Sequence, residues 1–327
     1  MNNFGRLFRI SIFGESHGKS IGITIDGCPP GIALQEPDFT PDLSRRKSGA
    51  KGTTPRNEED LPDIISGTFN GYTTGAPITV LFRNSNTRSA DYANLQASPR
   101  PGHADFVSNA KYHGFQDFRG GGHFSGRLTL ALVAAGVVAK KMIAPVEINA
   151  YLTQAGGSTN IDEAIEKALA TKDSIGGIVE CSASKLPVGW GEPFFDSVES
   201  IISHLVFAIP AIKGIEFGSG FAAAKMNGSE HNDAIINPEG KTATNNAGGI
   251  NGGITNGNNL VFRVAVKPTS SIGKSQQTLN SISGKVEDLT IEGRHDACIA
   301  LRVPVILEAV TAIALADLQR VAQAQKV

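Results

Sequence analysis

The residues with the clearest chemical content form a glycine-rich run at positions 119–127, with the sequence RGGGHFSGR. Glycine lets backbone N–H groups approach a ligand closely, and the first turn of a helix adds N–H groups at the positive end of its dipole. Because an apolar stretch follows, the pattern predicts a helix from about 124 to 143 that starts with Ser125 and Arg127. The run fits neither the dinucleotide-binding pattern nor the P-loop pattern. It therefore indicates an anion site more than a plain turn.

Two further motifs each carry a histidine: GESHG at 14–18 and RPGHAD at 100–105. The first matches the G-x-S-x-G pattern of serine hydrolases, but a strand-like stretch follows it where that pattern requires a helix. Two interpretations remain: a glycine turn with Ser16 and His17 facing solvent, or a loop that presents His17 as a general acid or ligand contact. His103 immediately precedes a helix predicted over 104–112. It is either part of the turn that starts this helix or a functional group.

Two later motifs join cations to oxygen-bearing groups. In GRHD at 293–296, Arg294 stands close to Asp296, and no other Cys, His or acid has metal-ligand spacing. This pattern favours an anion clamp with a carboxylate that accepts or relays a proton, and it predicts no metal site. KPTSS at 267–271 delivers one ammonium and three hydroxyls, which suits a phosphate or ribityl chain but is equally typical of a Ser/Thr turn.

Composition limits the classes of protein. The 327 residues include 30 Lys plus Arg and 31 Asp plus Glu, a net charge of −1 that argues against a general nucleic-acid binder. The three cysteines are widely spaced, which predicts neither a disulfide framework nor a zinc site and favours a reducing cytoplasm. No signal-peptide pattern precedes the first strand, and the apolar stretch at 128–142 is too short and too charged to span a membrane.

The elements that must position these motifs alternate without strict β-α-β order. This favours a layered α+β fold with a single core over a doubly wound parallel sheet. A long polar loop is predicted over 47–60, and the basic segment 45–47 before it is most simply a solvated helix end. Strands are predicted at 7–13, 21–26, 64–69, 78–82, 178–181, 212–217, 221–225 and 260–266, and helices at 37–47, 104–112, 124–143, 161–170, 198–209 and 305–323.

Taken together, arginines in glycine-rich turns of a nearly neutral chain predict a focused positive site for a small polyanion such as a phosphorylated carboxylic acid. His17 and His103 add groups that can move protons near neutral pH. The residues alone thus predict an enzyme for a phosphorylated small acid, with room for a phosphate-bearing cofactor. A serine hydrolase that uses Ser16 and a non-catalytic flavin- or phosphate-binding module are the alternatives.

GESHG, RPGHAD, RGGGHFSGR, KPTSS and GRHDACIALR, in this order, resemble the chorismate synthase family from Phe4 to about Ala324. The resemblance implies a β-α-β sandwich, one domain over residues 1–327, and a cytoplasmic homotetramer without nucleic-acid or membrane partners. It also implies anti-1,4-elimination of phosphate from 5-enolpyruvylshikimate 3-phosphate, with reduced FMN and no net redox change. An outside flavin reductase is expected, because no nicotinamide fingerprint is present; NADPH as the direct reductant is the alternative.

The resemblance also assigns residues. His17 would act as general acid at the leaving phosphate, His103 would lie near the flavin ring, and Asp296 would assist proton removal. Substrate or NADP contacts would come from Ser16, Arg46, Lys51, Arg100 and Arg127. Flavin contacts would come from His123, Phe124, Ser125, Pro210, Ala211, Gly252, Lys267, Pro268, Thr269, Ser270, Ser271 and Arg294.

The chain departs from the family pattern at three places. Gly126 stands where the family has alanine, and the basic loop is shortened, so that Lys51 aligns with an arginine only across a gap. A lysine would supply charge without the bidentate fork of arginine. The stretch 145–174 is short and carries no motif, which predicts a trimmed peripheral element.

Overall fold

Two antiparallel sheets enclose a layer of helices in the computed structural model, which describes residues 2–54, 59–84, 97–291 and 296–325. The first sheet has the spatial order β1-β2-β3-β7-β4. In its central strand β3, Ile21, Ile23 and Ile25 alternate along one face and are fully buried, because successive side chains of a strand point to opposite faces. The strands are β1 Asn3–Phe4, β2 Arg9–Gly14, β3 Ser20–Asp26, β4 Asp63–Ser66 and β7 Ile78–Arg83.

The second sheet has the order β10-β13-β9-β8. Its strand β13 buries alternate residues from Leu260 to Val266, so one face packs against the helices. The strands are β8 Glu147–Ala155, β9 Gly177–Ser184, β10 Ile212–Phe217 and β13 Leu260–Val266. The remaining strands among the described residues form three short hairpins: β5 Thr68–Phe69 with β6 Tyr72–Thr73, β11 Ile250–Asn251 with β12 Ile254–Thr255, and β14 Gln276–Leu279 with β15 Val286–Leu289.

Helices α3 and α7 form the middle layer, since α3 contacts β2 and β3 while α7 contacts α3, β8 and β9. Gly136 allows the two helices to approach closely, because a Cβ there would lie 2.4 Å from the Cβ of Ala309. The buried apolar side chains of both sheets and both helices form one cluster. The helices are α1 Thr40–Arg46, α2 Asp105–Lys111, α3 Thr129–Met142, α4 Ile161–Ala170, α5 Val198–Val206, α6 Gly228–His231 and α7 Val303–Ala324.

One helical stretch within the described part of the chain, Ile299–Ala324, is long and apolar enough to cross a membrane by length and composition alone. Of its most apolar window, 78% is buried inside the protein, as in the central helix of a packed core. The layered α+β fold predicted from the sequence is confirmed.

Some predicted elements differ from the structure. The strand predicted at 221–225 is wrong: residues Gly220–Lys225 form a 3-10 turn, and β10 pairs with β13 instead. The helix predicted from 124 begins only at Thr129, because Ser125 is extended, with ψ of 140°, and caps a 3-10 turn over Gly126–Leu128 that precedes the α-helix. The short stretch 145–174 contains β8 at the sheet edge and α4, and the Ala150 N–H bonds the buried Glu308 carboxylate.

Candidate active site

The glycine-rich turn before α3 brings two histidines together. Gly120 and Gly121 have φ angles of +59° and +81°. A Cβ on Gly120 would lie 2.2 Å from Cε1 of His17, and one on Gly121 would lie 3.5 Å from Cε1 of His103. The absence of a side chain at Gly120 therefore makes room for the imidazole of His17, whereas Gly121 is required by its positive φ and lies in ordinary contact with His103.

His17 lies in the loop between β2 and β3 and is buried together with Ser16. The Ser16 N–H donates to the carbonyl of Gly122 at 3.1 Å. Asn84 Nδ2 donates to the carbonyls of Glu15 and Gly18 at 3.1 and 2.9 Å, and so fixes the loop from both sides of the histidine. The interpretation with both side chains facing solvent is wrong, and the burial of Ser16 with a strand after it also disfavours a hydrolase nucleophile.

His103 is held by a carboxylate at the start of α2. Its Nδ1 lies 2.6 Å from Oδ1 of Asp105, while Arg100 donates to both oxygens of Asp105 at 2.7 and 2.8 Å. Burial raises the pKa of Asp105, but hydrogen bonds from Arg100 and His103 outweigh burial and keep that pKa well below its usual value. Arg100 Nη2 also lies 3.0 Å from Nδ1 of His103, but the shorter contact is with the carboxylate, which only accepts, so we assign Nδ1 as the donor to Asp105; Nε2 lies towards Gly121.

A cavity of about 800 Å³ opens beside this turn. Arg100 and His103 border it, and Arg100 Nη1 donates to the Ser271 hydroxyl at 3.1 Å. Ten of the predicted flavin-contacting residues line it, namely His123, Phe124, Ser125, Pro210, Ala211, Lys267, Pro268, Thr269, Ser270 and Ser271.

The 267–271 segment supplies the polar wall of this 800 Å³ cavity. Lys267 Nζ donates to the Ser270 hydroxyl at 2.7 Å, and burial, with a further contribution from Lys213, lowers the pKa of Lys267. The hydroxyl oxygen of Thr269 is buried and has no hydrogen-bond partner among the described residues. A buried hydroxyl in this condition is costly unless a ligand or water bonds it.

His123 and Phe124 separate this cavity from another of about 550 Å³, which both residues also line. His123 Nδ1 donates to the Gly14 carbonyl at 2.8 Å, so the glycine turn is tied to the end of β2. The Phe124 ring stacks at a tilt on Tyr112, with centroids 6.1 Å apart. Phe124 and Tyr112 thus form an aromatic wall that lines both cavities together with His103.

A smaller cavity of about 200 Å³ is lined by buried charges. Asp60 receives one hydrogen bond from Arg46 and one from Arg127, each at 2.9 Å and each on a different oxygen. Burial lowers the pKa of Arg46 to about 10, opposed by the charge of Asp60. Burial also raises the pKa of Asp60, but the two arginines outweigh it and the pKa is lowered. Ser125 and Gly126 line this cavity and the 800 Å³ one, so the two adjoin.

Asp296 also lines the small cavity. Its Oδ1 accepts the Thr54 N–H at 2.8 Å, and its Oδ2 lies 3.6 Å from Nη1 of Arg302. Arg302 also donates from Nε to the Arg46 carbonyl at 3.0 Å. Among the described residues, three arginines, Lys47 and two carboxylates therefore line this cavity and leave two net positive charges.

Other predicted site residues lie elsewhere. Lys51 is exposed and pairs with Glu166 of α4, and Gly252 lies in the β11–β12 turn; neither lines the three cavities. Ser16 and His17 also line none of them and meet the site through Gly120. Arg294 lies outside the described residues.

Sequence reasoning missed Asp60, Asn84 and Arg302. Asp60 is the last residue of the long polar loop predicted over 47–60, yet it is buried. Arg302 belongs to the GRHDACIALR motif, and its place six residues after Asp296 was an available signal. Nothing local marks Asn84, which acts by bonding two loops.

Buried arginines, two positioned histidines and adjoining cavities define a class of enzyme that binds a small polyanion. The sequence model of the chorismate synthase family matches residues 8–319. A chorismate synthase of Chitinophaga pinensis is 68% identical over 97% of this chain and 96% of its own length. A chorismate synthase of Dehalococcoides mccartyi is 45% identical over 97% of this chain and 96% of its own length. A crystal structure titled chorismate synthase aligns with TM-score 0.73 and 26% identity over 96% of this chain and 92% of its own.

The chain belongs to the chorismate synthase family, so the resemblance drawn from the five motifs is confirmed. It is accordingly a lyase of the shikimate pathway.

Proposed function

We propose that the chain eliminates phosphate from 5-enolpyruvylshikimate 3-phosphate to form chorismate, with reduced FMN and no net redox change. The observation that carries the proposal is that the cavity of the predicted flavin contacts adjoins the arginine-lined cavity through Ser125 and Gly126. This arrangement supports a cofactor and a polyanionic substrate bound next to each other.

The residues present fit FMN. The cavity of about 800 Å³ is within the usual range for cofactor sites. Phe124, Pro210 and Ala211 offer apolar surface for a flat ring, and the 267–271 segment offers hydroxyls and an ammonium for a ribityl phosphate. The buried Thr269 hydroxyl without a partner among the described residues supports a ligand there. When bound, reduced FMN would supply the electron-rich ring on which the elimination depends.

The chain's own groups would bind the anion and move protons. Arg46, Arg100 and Arg127 would hold the phosphate and carboxylates, since guanidinium groups match these oxyanions in shape and charge. His17 would donate a proton to the departing phosphate oxygen as the carbon–oxygen bond breaks. His103 would present Nε2 beside the flavin ring, and Asp296 would assist removal of the substrate proton.

Several wider statements belong to the same proposal. The chain forms one domain over residues 1–327 and works in the cytoplasm as a homotetramer; exposed aromatic side chains such as Phe194, Phe195 and Phe221 support self-association. Reducing equivalents come from an outside flavin reductase, with direct use of NADPH as the alternative. The net charge of −1 argues against nucleic acid as a partner.

Anaerobic turnover of 5-enolpyruvylshikimate 3-phosphate tests the proposal, with chorismate absorbance and phosphate release as readouts. We expect product with chemically reduced FMN and none with oxidised FMN plus NADPH. Product in the second sample would show that the chain itself reduces FMN with NADPH, and it would refute the proposal of an outside flavin reductase. No product in any sample from a folded protein that binds FMN would refute the lyase proposal and favour a binding module.

A further inference from the structure

Asp60 is a buried carboxylate that links two arginines from distant parts of the chain. Arg46 ends α1, whereas Arg127 lies in the turn before α3, and each bonds one oxygen of Asp60 at 2.9 Å. The side chains of Asp60 and Arg46 are only 1% and 3% exposed, so solvent does not screen these charges. Two guanidinium groups this close repel each other unless an anion lies between them.

We propose that Asp60 is a positioning residue for the anion site: it holds Arg46 and Arg127 side by side, in the arrangement that a phosphoryl group requires. The inference rests on the proposed function, from which it takes the phosphoryl group as ligand. Asp60 contacts the arginines that bind the anion and acts through them.

The backbone at Asp60 directs its side chain into this position. Its φ of +50° lies in the left-handed region, which aspartate adopts more readily than most residues but still at a cost. Next to it, the Glu59 carbonyl accepts a hydrogen bond from Lys47 Nζ at 2.7 Å, which closes the turn onto the end of α1. A backbone constraint of this kind persists where the surrounding structure requires one orientation of the side chain.

The carboxylate also connects the arginine pair to the proton-transfer groups. Arg127 Nε donates to Asn84 Oδ1 at 2.8 Å, and Asn84 Nδ2 holds the loop of His17. On the other side, the Arg46 carbonyl accepts from Arg302, which lies beside Asp296. One chain of hydrogen bonds with Asp60 at its centre thus runs from the His17 loop to Arg302, and Arg302 forms an ion pair with Asp296 at 3.6 Å.

Arg46 retains a donor for a ligand. Its Nε is buried and has no hydrogen-bond partner among the described residues, and its side chain lines the 200 Å³ cavity. Such a donor is costly to leave unsatisfied, and an anion in the adjoining cavity would satisfy it. The protein thus leaves one N–H donor of the Arg46–Asp60–Arg127 cluster unsatisfied, and a phosphoryl group would accept a hydrogen bond from it.

Two possible roles of Asp60 predict opposite changes in phosphate affinity when its charge is removed. If Asp60 only adds negative charge beside the site, its neutralisation strengthens anion binding. If Asp60 positions the arginines, neutralisation weakens binding, because the amide of asparagine presents N–H groups to one guanidinium and displaces it. The binding of inorganic phosphate to Asp60→Asn, measured by calorimetry without flavin or substrate, separates the two.

We expect the phosphate Kd to rise by about tenfold or more in Asp60→Asn, the size of effect that supporting groups have around a bound ion. Asp60→Glu keeps the charge but extends the carboxylate by one methylene, and a smaller rise, roughly threefold, is expected. Asp42→Asn is the matched control: it removes a carboxylate that also lies beside two cations, Lys140 at 2.7 Å and Arg45 at 3.5 Å, but lines none of the three cavities. Its phosphate Kd should stay at the wild-type value.

Equal or tighter phosphate binding by Asp60→Asn would overturn the inference, as would an equal loss in Asp42→Asn or undetectable binding by the wild type. If Asp60→Asn does not fold, Asp60→Glu decides, and wild-type affinity there would overturn the inference. The outcome is independent of turnover. A wild type that binds phosphate but yields no chorismate refutes the reaction alone, while the comparison of variants still decides the role of Asp60.

Discussion

Two adjacent arginines at the end of α1 belong to different parts of the molecule. Arg45 reaches the core helix α7, where it donates to both oxygens of Glu308 at 2.7 Å each. Arg46 turns instead to Asp60 and the 200 Å³ cavity. Consecutive residues on a helix point about 100° apart, so a single step in sequence separates a structural contact from a functional one.

The two networks differ in how far the protein satisfies them. Glu308 also accepts from Lys140 Nζ and from the Ala150 N–H, each at 3.0 Å, and lines none of the three cavities. Burial raises the pKa of Glu308, but hydrogen bonds and charge from Arg45 and Lys140 outweigh it, and the pKa is lowered. The Arg46 cluster retains an unsatisfied donor and adjoins a cavity. A saturated network of this kind stabilises a fold, and an unsaturated one beside a cavity binds a ligand.

The largest effect is expected for Glu308→Gln, which would break the core network. The free energy of unfolding should fall by about 3 kcal/mol, because a buried charge pair is disrupted while its partly exposed cations regain some water. Chemical denaturation measures this change, and turnover of the folded fraction should remain normal. Glu166→Gln, in the exposed pair with Lys51, is the control and should leave the unfolding midpoint unchanged. A loss of turnover in folded Glu308→Gln would contradict the separation of the two networks.

The same variant should alter the dependence of stability on pH. A carboxylate whose folded pKa is lowered stabilises the protein above its unfolded pKa, about 4.3 for glutamate, and loses that contribution as pH falls towards the folded value. The stability difference between wild type and Glu308→Gln should therefore be full at pH 7 and shrink below about pH 4. A difference that stays constant between pH 7 and pH 3 would show that the charge of Glu308 contributes nothing.

A smaller but more specific effect on activity is expected when Arg45 and Arg46 are replaced by lysine one at a time. Arg46→Lys should lower kcat/KM by about 10- to 100-fold, because an ammonium cannot bond a carboxylate and a phosphoryl group as a planar fork does. Arg45→Lys should lower the free energy of unfolding slightly and leave kcat/KM near wild type. Steady-state kinetics on both variants, with thermal unfolding in parallel, provides the measurement. The contrast fails if Arg45→Lys loses as much activity as Arg46→Lys.

The smallest effect is expected for Gly126→Ala, which restores the residue typical of the family. No atom lies within 4 Å of a Cβ built there, and the φ angle of Gly126 is not in the left-handed region. Turnover should be unchanged, and stability should rise by at most about 1 kcal/mol through the unfolded chain. Gly136→Ala in the core is the contrast, because its Cβ would meet Ala309 at 2.4 Å and should destabilise the protein. Lost activity in Gly126→Ala would mean that the turn needs glycine there.

The sequence by itself determined the elements whose patterns are local. The strand predicted at residues 260–266 and the surface helix predicted at 161–170 are β13 and α4, both with the observed bounds. It also determined the chemical character of the site, because glycines, arginines and histidines in short motifs are visible without any structure. These features depend on neighbours within one turn or strand.

Only the tertiary structure decided which charges share a partner. Asp60 is 67 residues from Arg127, and Arg302 is 256 residues from the Arg46 carbonyl that it bonds. It also decided that β10 pairs with β13 and not with the residues at 221–225. Periodicity fixes which face of an element is apolar, but the pairing of distant polar groups depends on how the layers pack. For that reason Arg45 and Arg46, adjacent and identical in type, could be assigned to the core and to the site only from the packed molecule.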